Sequence, residues 1–285
     1  MTFCRWQLVV AGLFFATPGI AIAADLEPTA PPPPSPITVK APADLPDWIV
    51  SIGGEVRALP AWPGAPSTVY GMGGFPLFAI GKPGDPPFFF GARDGFGVPL
   101  LDLGRFQAGP VGTLSWPRYV NPWGSLHGLT DVDWAVQLGA YVQYYPVPWL
   151  RIRGELRQGI GGETGQTGDL YVDTIVPMGQ FRLSGGPRLQ LQSANATSPY
   201  FSVTPAQAIS SGLPAYNAGG GVYSYGAGGQ VEYFFNSHWQ VHGIVEYERL
   251  AGSAADSPLV TVRGSPNQFT FGIGGTYTFN MRPLW

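Results

Sequence analysis

Apolar and polar side chains alternate along this chain with a period of two, most clearly from Gln268 to Phe279. One face carries Phe269, Phe271, Ile273, Gly275, Tyr277 and Phe279, and the other Gln268, Thr270, Gly272, Gly274, Thr276 and Thr278. Side chains two apart share a face of a strand, so the segment predicts a strand with one greasy face and one polar or small face. The same alternation predicts strands from Val132 to Tyr144, from Tyr223 to Phe235 and from Trp239 to Tyr247, the last with Ile244 as an exception on the polar side. Phe181, Leu183, Leu189 and Leu191 alternate with Arg182, Ser184, Arg188 and Gln190, and Leu150, Ile152, Gly154 and Leu156 with Arg151, Arg153, Glu155 and Arg157. Little 3.6-residue periodicity and no apolar run of membrane-helix length follows Asp47.

Two architectures produce such strands. A soluble sandwich buries the apolar face between two sheets, whereas a membrane barrel turns it to lipid around a polar lumen. The segments reach about 10–13 residues, beyond the usual 5–6 of globular strands and near the 9–11 that cross a bilayer. Aromatics gather at their ends (Tyr144, Tyr145 and Trp149; Tyr233, Phe234, Phe235 and Trp239; Tyr277 and Phe279), where an interfacial girdle sits. Connections also alternate. Tyr145–Trp149 and Phe235–Trp239 are short, while 115–130, 159–168, 193–219 and 251–266 are long and polar or rich in Gly and Pro, matching short periplasmic turns and long outer loops. The expected fold is an all-β, antiparallel transmembrane barrel of about 12 strands, with 10 or 14 also compatible with the pattern. Candidate strands lie near 48–59, 68–80, 86–94, 97–104, 106–114, 131–145, 149–159, 169–178, 181–192, 221–235, 238–250 and 267–279. Prolines blur the pattern in the N-terminal half.

The N-terminus changes the compartment. Arg5, the apolar run Leu8–Ala16 and Ala21-Ile22-Ala23 predict a secretory signal peptide over residues 1–23. The run is too short for a span of about 20 residues. The sole cysteine, Cys4, would leave with it, so no disulfide or thiol chemistry is expected. Residues 24–47 are proline-rich and read as an extended periplasmic linker, leaving 48–285 for the barrel. Only 12% of the residues are charged, about half the usual share, and a net charge of −3 gives no basic surplus for a nucleic-acid partner. An exported barrel predicts the outer membrane of a Gram-negative cell, with its lipids as surroundings.

Arg151, Arg153, Glu155 and Arg157 share one face and cannot face lipid, since an Arg at mid-bilayer costs about 2–4 kcal/mol. They read either as a lumen wall that tunes permeation or as the ordinary polar interior, paired with acidic residues. His238 and His242 share a strand face with Glu246, but i, i+4 on a strand spans roughly 13 Å and zinc ligands converge at about 2 Å. No metal or cofactor is expected. A catalytic set could only come from Ser257, Asp256 and His242, without a G-x-S-x-G elbow. The glycines at 219–221 and 226–229 lack the Lys-Ser/Thr of a phosphate loop. No catalytic residue is assigned.

Pro199–Phe279 carries a resemblance. Tyr200-Phe201-Ser202-Val203-Thr204, Ala208 and Ser211-Gly212-Leu213-Pro214-Ala215-Tyr216 are followed by Tyr247–Val260, which reads YERLAGSAADSPLV, and by Gly264-Ser265-Pro266-Asn267-Gln268. These resemble the MipA/OmpV family of outer-membrane proteins. Weaker echoes are Gly53-Gly54, Trp62-Pro63-Gly64 and Arg93-Asp94-Gly95, so the likeness spans about residues 46–279. The resemblance implies a non-enzymatic scaffold that bridges a lytic transglycosylase and a penicillin-binding protein. Porin-like and adhesion roles in other members leave a small-solute channel or an adhesin as alternatives. It singles out Tyr200, Phe201, Gly212, Leu213, Pro214, Tyr216, Asp256, Ser257 and Pro258 as plug or partner-contact loops. Gly274, Tyr277 and Phe279 resemble the last-strand signal read by the barrel-assembly machinery, although Asn280–Trp285 follow where members usually end.

Overall fold

The computed structural model describes residues 48–282 apart from 85, 86, 92 and 122. The signal peptide and linker expected over 1–47 lie outside the described residues.

Among the described residues, twelve strands form one antiparallel sheet that curls into a barrel. They are β1 (Trp48–Pro60), β2 (Tyr70–Gly81), β3 (Phe96–Gly97), β4 (Leu101–Asp102), β5 (Phe106–Ser115), β6 (Ala135–Val147), β7 (Leu150–Gly161), β8 (Gln166–Met178), β9 (Phe181–Gln192), β10 (Gly221–Phe234), β11 (Trp239–Leu250) and β12 (Asn267–Met281). From β5 to β12 each strand pairs with the next in the chain, and β12 pairs with β1, which pairs with β2. The β1–β12 register sets Val50 opposite Phe279 and Trp48 opposite Met281. The last strand therefore continues through Asn280 and Met281, beyond its final aromatic.

Alternation explains the strand faces. On β6 the outward Val136, Leu138, Val142 and Tyr144 are exposed, while Gln137, Tyr141, Gln143 and Tyr145 are buried on the lumen side. On β11, Trp239, Val241 and Val245 face out, and Gln240, His242, Ile244 and Glu246 face in. The outward surface is an apolar band, with Tyr144, Trp149, Phe181, Phe235 and Trp239 exposed at the short-turn end and Trp116 and Trp134 toward the long-loop end. An apolar band bounded by aromatic girdles is the surface of a membrane-spanning barrel. Among the described residues no helix is long and apolar enough to cross a membrane.

Several sequence expectations are corrected. Residues 86–94, read as a strand, are not one where described, because Phe88-Phe89-Phe90 turn into the lumen. Residues 97–104 hold only the two-residue pieces β3 and β4, both paired to β5. A register shift between Val222 and Ser224 turns Tyr223 from the expected outer face onto Phe201, with ring centroids 5.8 Å apart. The long connections are not wholly irregular. They hold α1 (Ala194–Phe201), α2 (Pro205–Ser211), α3 (Gly252–Ala255) and α4 (Pro258–Arg263).

Among the described residues the barrel does not close by hydrogen bonds all the way round. The sheet ends at β2 on one side and at β3 and β4, beside β5, on the other. Aromatic contacts bridge this seam, Phe78 to Phe96 at 5.8 Å and Phe75 to Trp116 at 4.7 Å.

Candidate functional site

Charged side chains line the lumen in pairs. Arg151, Arg153, Glu155 and Arg157 of β7 all point inward and are buried. Arg151 grips Asp173 of β8 through Nη2 at 2.6 Å and Nε at 3.0 Å, and Arg188 of β9 reaches the other oxygen of Asp173 at 2.5 Å. Glu155 accepts from Arg153 at 2.8 Å and from Arg157, which also binds Asp169. Elsewhere Arg182 meets Glu232 at 2.5 and 2.6 Å, and His242 Nε2 lies 2.7 Å from Glu55. Short inward spacing on neighbouring strands brings these groups together. Once buried, a paired charge is tolerated and an unpaired one is strongly unfavourable.

The chain between β2 and β3 enters this network. Asp94 receives both terminal nitrogens of Arg151, at 2.5 and 2.9 Å. Arg93 reaches the far wall, with Nη1 2.9 Å from Glu246 and 3.0 Å from Glu248 on β11. The Gly95 amide donates to Glu155 at 3.2 Å, and Arg182 donates to the Phe88 carbonyl at 3.1 Å. Phe89 is buried against Tyr145 and Ile175, with the guanidinium of Arg151 4.6 Å from its ring centroid and that of Arg182 at 5.0 Å, a cation–π arrangement. This inner segment thus ties β7, β9 and β11 across the lumen. A cavity of about 430 Å³ lies on its long-loop side and one of about 210 Å³ on its short-turn side, and Phe90 lines both.

The long loops pack into a cap with its own core. Tyr200, Phe201, Val132, Ala218, Leu250, Ala254 and Val260 form one cluster, and Trp62, Ala65, Leu126 and Leu259 another. Thr204 and Gln207 make a reciprocal capping box at the start of α2, satisfying two orphan donors. Ser257 caps α4 by accepting from Leu259 N and donates its own hydroxyl to the Phe201 carbonyl at 2.7 Å. Arg118 donates to the Tyr200 carbonyl and, at 2.9 Å, to that of Thr130. Burial holds its guanidinium down at about 10, below the usual arginine range, and burial likewise raises the Tyr200 phenol. Gly64 sits at φ +92°, and a Cβ there would come within 2.7 Å of Val260 Cγ2, so this turn needs glycine.

The residues singled out in the sequence fall into three places. Tyr200, Phe201, Leu213, Ser257 and Pro258 are buried in the cap, with Tyr216 half-buried and Gly212, Pro214 and Asp256 exposed beside them. The four β7 charges line the lumen. On β12, Gly274 packs its backbone against His242, while Tyr277 lies 4.9 Å from Trp239 and 6.2 Å from Phe279 in the short-turn girdle. Asp256, Ser257 and His242 are not brought together by any hydrogen bond. Ser257 serves the cap and His242 pairs with Glu55. Sequence reading missed Arg93 and Asp94 as lumen residues, although the pair follows three phenylalanines and belongs to the weak family echo Arg93-Asp94-Gly95.

A protein-family model described as MltA-interacting protein MipA matches residues 52–279. No curated protein matches. Solved structures with a similar course of chain include the outer membrane protein OprG from Pseudomonas aeruginosa, at 14% identity and a TM-score of 0.28, covering 83% of this chain and 97% of that one. An outer membrane channel from Pseudomonas putida F1 has 11% identity and a TM-score of 0.39, covering 84% and 99%. A loop-deletion mutant of OmpT from Vibrio cholerae has 11% identity and a TM-score of 0.36, covering 82% and 98%.

Proposed function

The chain belongs to the MltA-interacting protein MipA family, and from that premise we propose that it is a non-enzymatic outer-membrane scaffold that holds a murein lytic transglycosylase, and through it a penicillin-binding protein, at its periplasmic end. The observation that carries this reading is the bridge across the lumen. Arg93, Asp94 and Phe89 bridge the walls, as suits a barrel used for its surface more than for its bore.

Murein lies on the side of the short turns, so the partner surface belongs there. Exposed Asn236, Ser237 and His238 between β10 and β11, and Gln180 between β8 and β9, are its candidates. The Tyr200–Tyr216 and Asp256–Pro258 loops lie at the opposite end, and we assign them the work of bracing the mouth. A photo-crosslinking residue at Asn236 should capture a lytic transglycosylase in intact cells, and one at the exposed Ile209 of α2 should not. Capture from neither Asn236 nor Gln180 would sink the scaffold reading.

A second reading, a gated small-solute channel, draws on the two cavities that meet at Phe90. Here the inner segment would be the gate. Single-channel recording distinguishes the two: the scaffold gives no steady conductance, and the channel gives openings that increase when Arg93→Ala frees the inner segment from β11.

A further inference from the structure

The larger cavity reaches into the barrel wall at the seam. Neighbouring side chains on a strand face opposite sides, so a cavity confined to the lumen would be lined by one set. Here the inward Phe75 and Thr113 and the outward Phe78 and Leu114 line the same space, together with Phe96 of β3. Phe78, Phe96 and Leu114 are also open to the lipid side, 42%, 39% and 48% exposed.

The strand pairing explains the opening. Among the described residues β3 reaches only Val111 and Gly112 of β5, so Thr113, Leu114 and Ser115 have no partner strand on the seam side. Facing them, β2 pairs with β1 alone. Unpaired strand edges at membrane depth are tolerated only where they are covered by protein or line a polar cavity.

Inside, the charges are already matched. Arg93 is held by Glu246 and Glu248, and Arg157 by Glu155 and Asp169. The uncharged polar groups along the cavity are hydroxyls and amides, among them Thr113, Thr270, Tyr223, Gln190 and Gln192. We infer that this chamber binds an amphiphile laterally: an uncharged, hydroxyl-rich head in the lumen and an alkyl chain leaving between β2 and β5 into the membrane. The inference stands apart from any murein partner, because the chamber opens toward the cap end.

The test uses the mature barrel purified in an amine-oxide detergent with a small mole fraction of dodecyl maltoside, read by native mass spectrometry. The wild type should retain one maltoside per barrel. Thr113→Trp, which fills the opening, should lower retention at least tenfold, and Ile273→Trp, on the lipid face of β12, should leave it unchanged. A Phe78→Cys, Phe96→Cys barrel should retain the ligand until a short bifunctional thiol reagent bridges the seam, and should then take up none. That comparison is made within one folded preparation and does not depend on Thr113→Trp folding. No retention by the wild type, or equal uptake before and after bridging, would overturn the inference.

Discussion

The wall from β6 to β11 and the strip between β2 and β5 cross the same membrane by different means. The wall has long ladders with local irregularities at Tyr144–Val147 and Val222–Ser224, and its inward Arg and Asp or Glu side chains are zipped across neighbouring strands. The strip has ring contacts on both of its sides, an apolar inner face at Phe75, Leu77 and Ala79, and only two-residue pieces of strand beside β5. Backbone pairing and buried ion pairs fix geometry because each missing partner leaves a polar group stranded. Ring contacts in lipid fix less, since an apolar side chain that loses its neighbour meets an equally apolar tail. The wall is therefore the frame and the strip is the part able to open.

The largest expected effect breaks the frame. Glu155→Leu leaves Arg153 and Arg157 without their shared carboxylate and removes the anchor of the Gly95 amide. Stranding a buried charge in this way costs about 3–5 kcal/mol, seen as a lower urea midpoint for the barrel in micelles. An unchanged midpoint would mean that the zip does not hold the wall.

Next is Arg93→Ala, which cuts the inner segment from β11. Loss of hydrogen bonds to charged groups at this site is worth about 1.5–3 kcal/mol. The expected readout is new protease cleavage within the segment between β2 and β3 while the β7–β8 ladder stays protected.

A smaller effect separates the cap from both regions. Ser257→Ala removes a helix cap and the bond to the Phe201 carbonyl, for about 1 kcal/mol, loosening the loops without shifting the barrel's own transition. Loss of any enzymatic turnover in this variant would contradict the scaffold reading.

The smallest effect sharpens the contrast. Phe78→Ala removes a large ring from the seam, yet an aromatic pair contributes only about 0.5–1.5 kcal/mol beyond area burial, and lipid replaces the lost area. A cost as large as that of Glu155→Leu would show the seam to be part of the frame.

These regions were not equally readable in the sequence. From β6 to β12 the period of two names the faces, including Ile244 as the apolar exception inside, but Val132, expected on the outer face, precedes β6 and is buried in the cap. The period fails where one residue is inserted, at Val222–Ser224, since a bulge swaps faces without changing composition. Phe88-Phe89-Phe90 reads as a strand because three adjacent rings look like a buried run, and periodicity cannot tell a wall from a plug. The cap helices, of 4–8 residues, are too short for a 3.6 period. Thr204-Pro205-Ala206-Gln207 nevertheless carries the capping signature of α2, and Ser257-Pro258 the start of α4. The β7 charges point inward from sequence alone, but their partners Asp94 and Asp173 become visible only once the strands are in register.

Hydrogen–deuterium exchange of the barrel in nanodiscs tests the division most directly. Amides of β7 and β8 should stay protected for hours, while that of Leu114, which points away from β6, and every second amide of β2 exchange within minutes through the polar cavity at the seam. Uniform protection around all the strands would contradict it, and would mean that β2 and β5 are closed by hydrogen bonds like the rest of the wall.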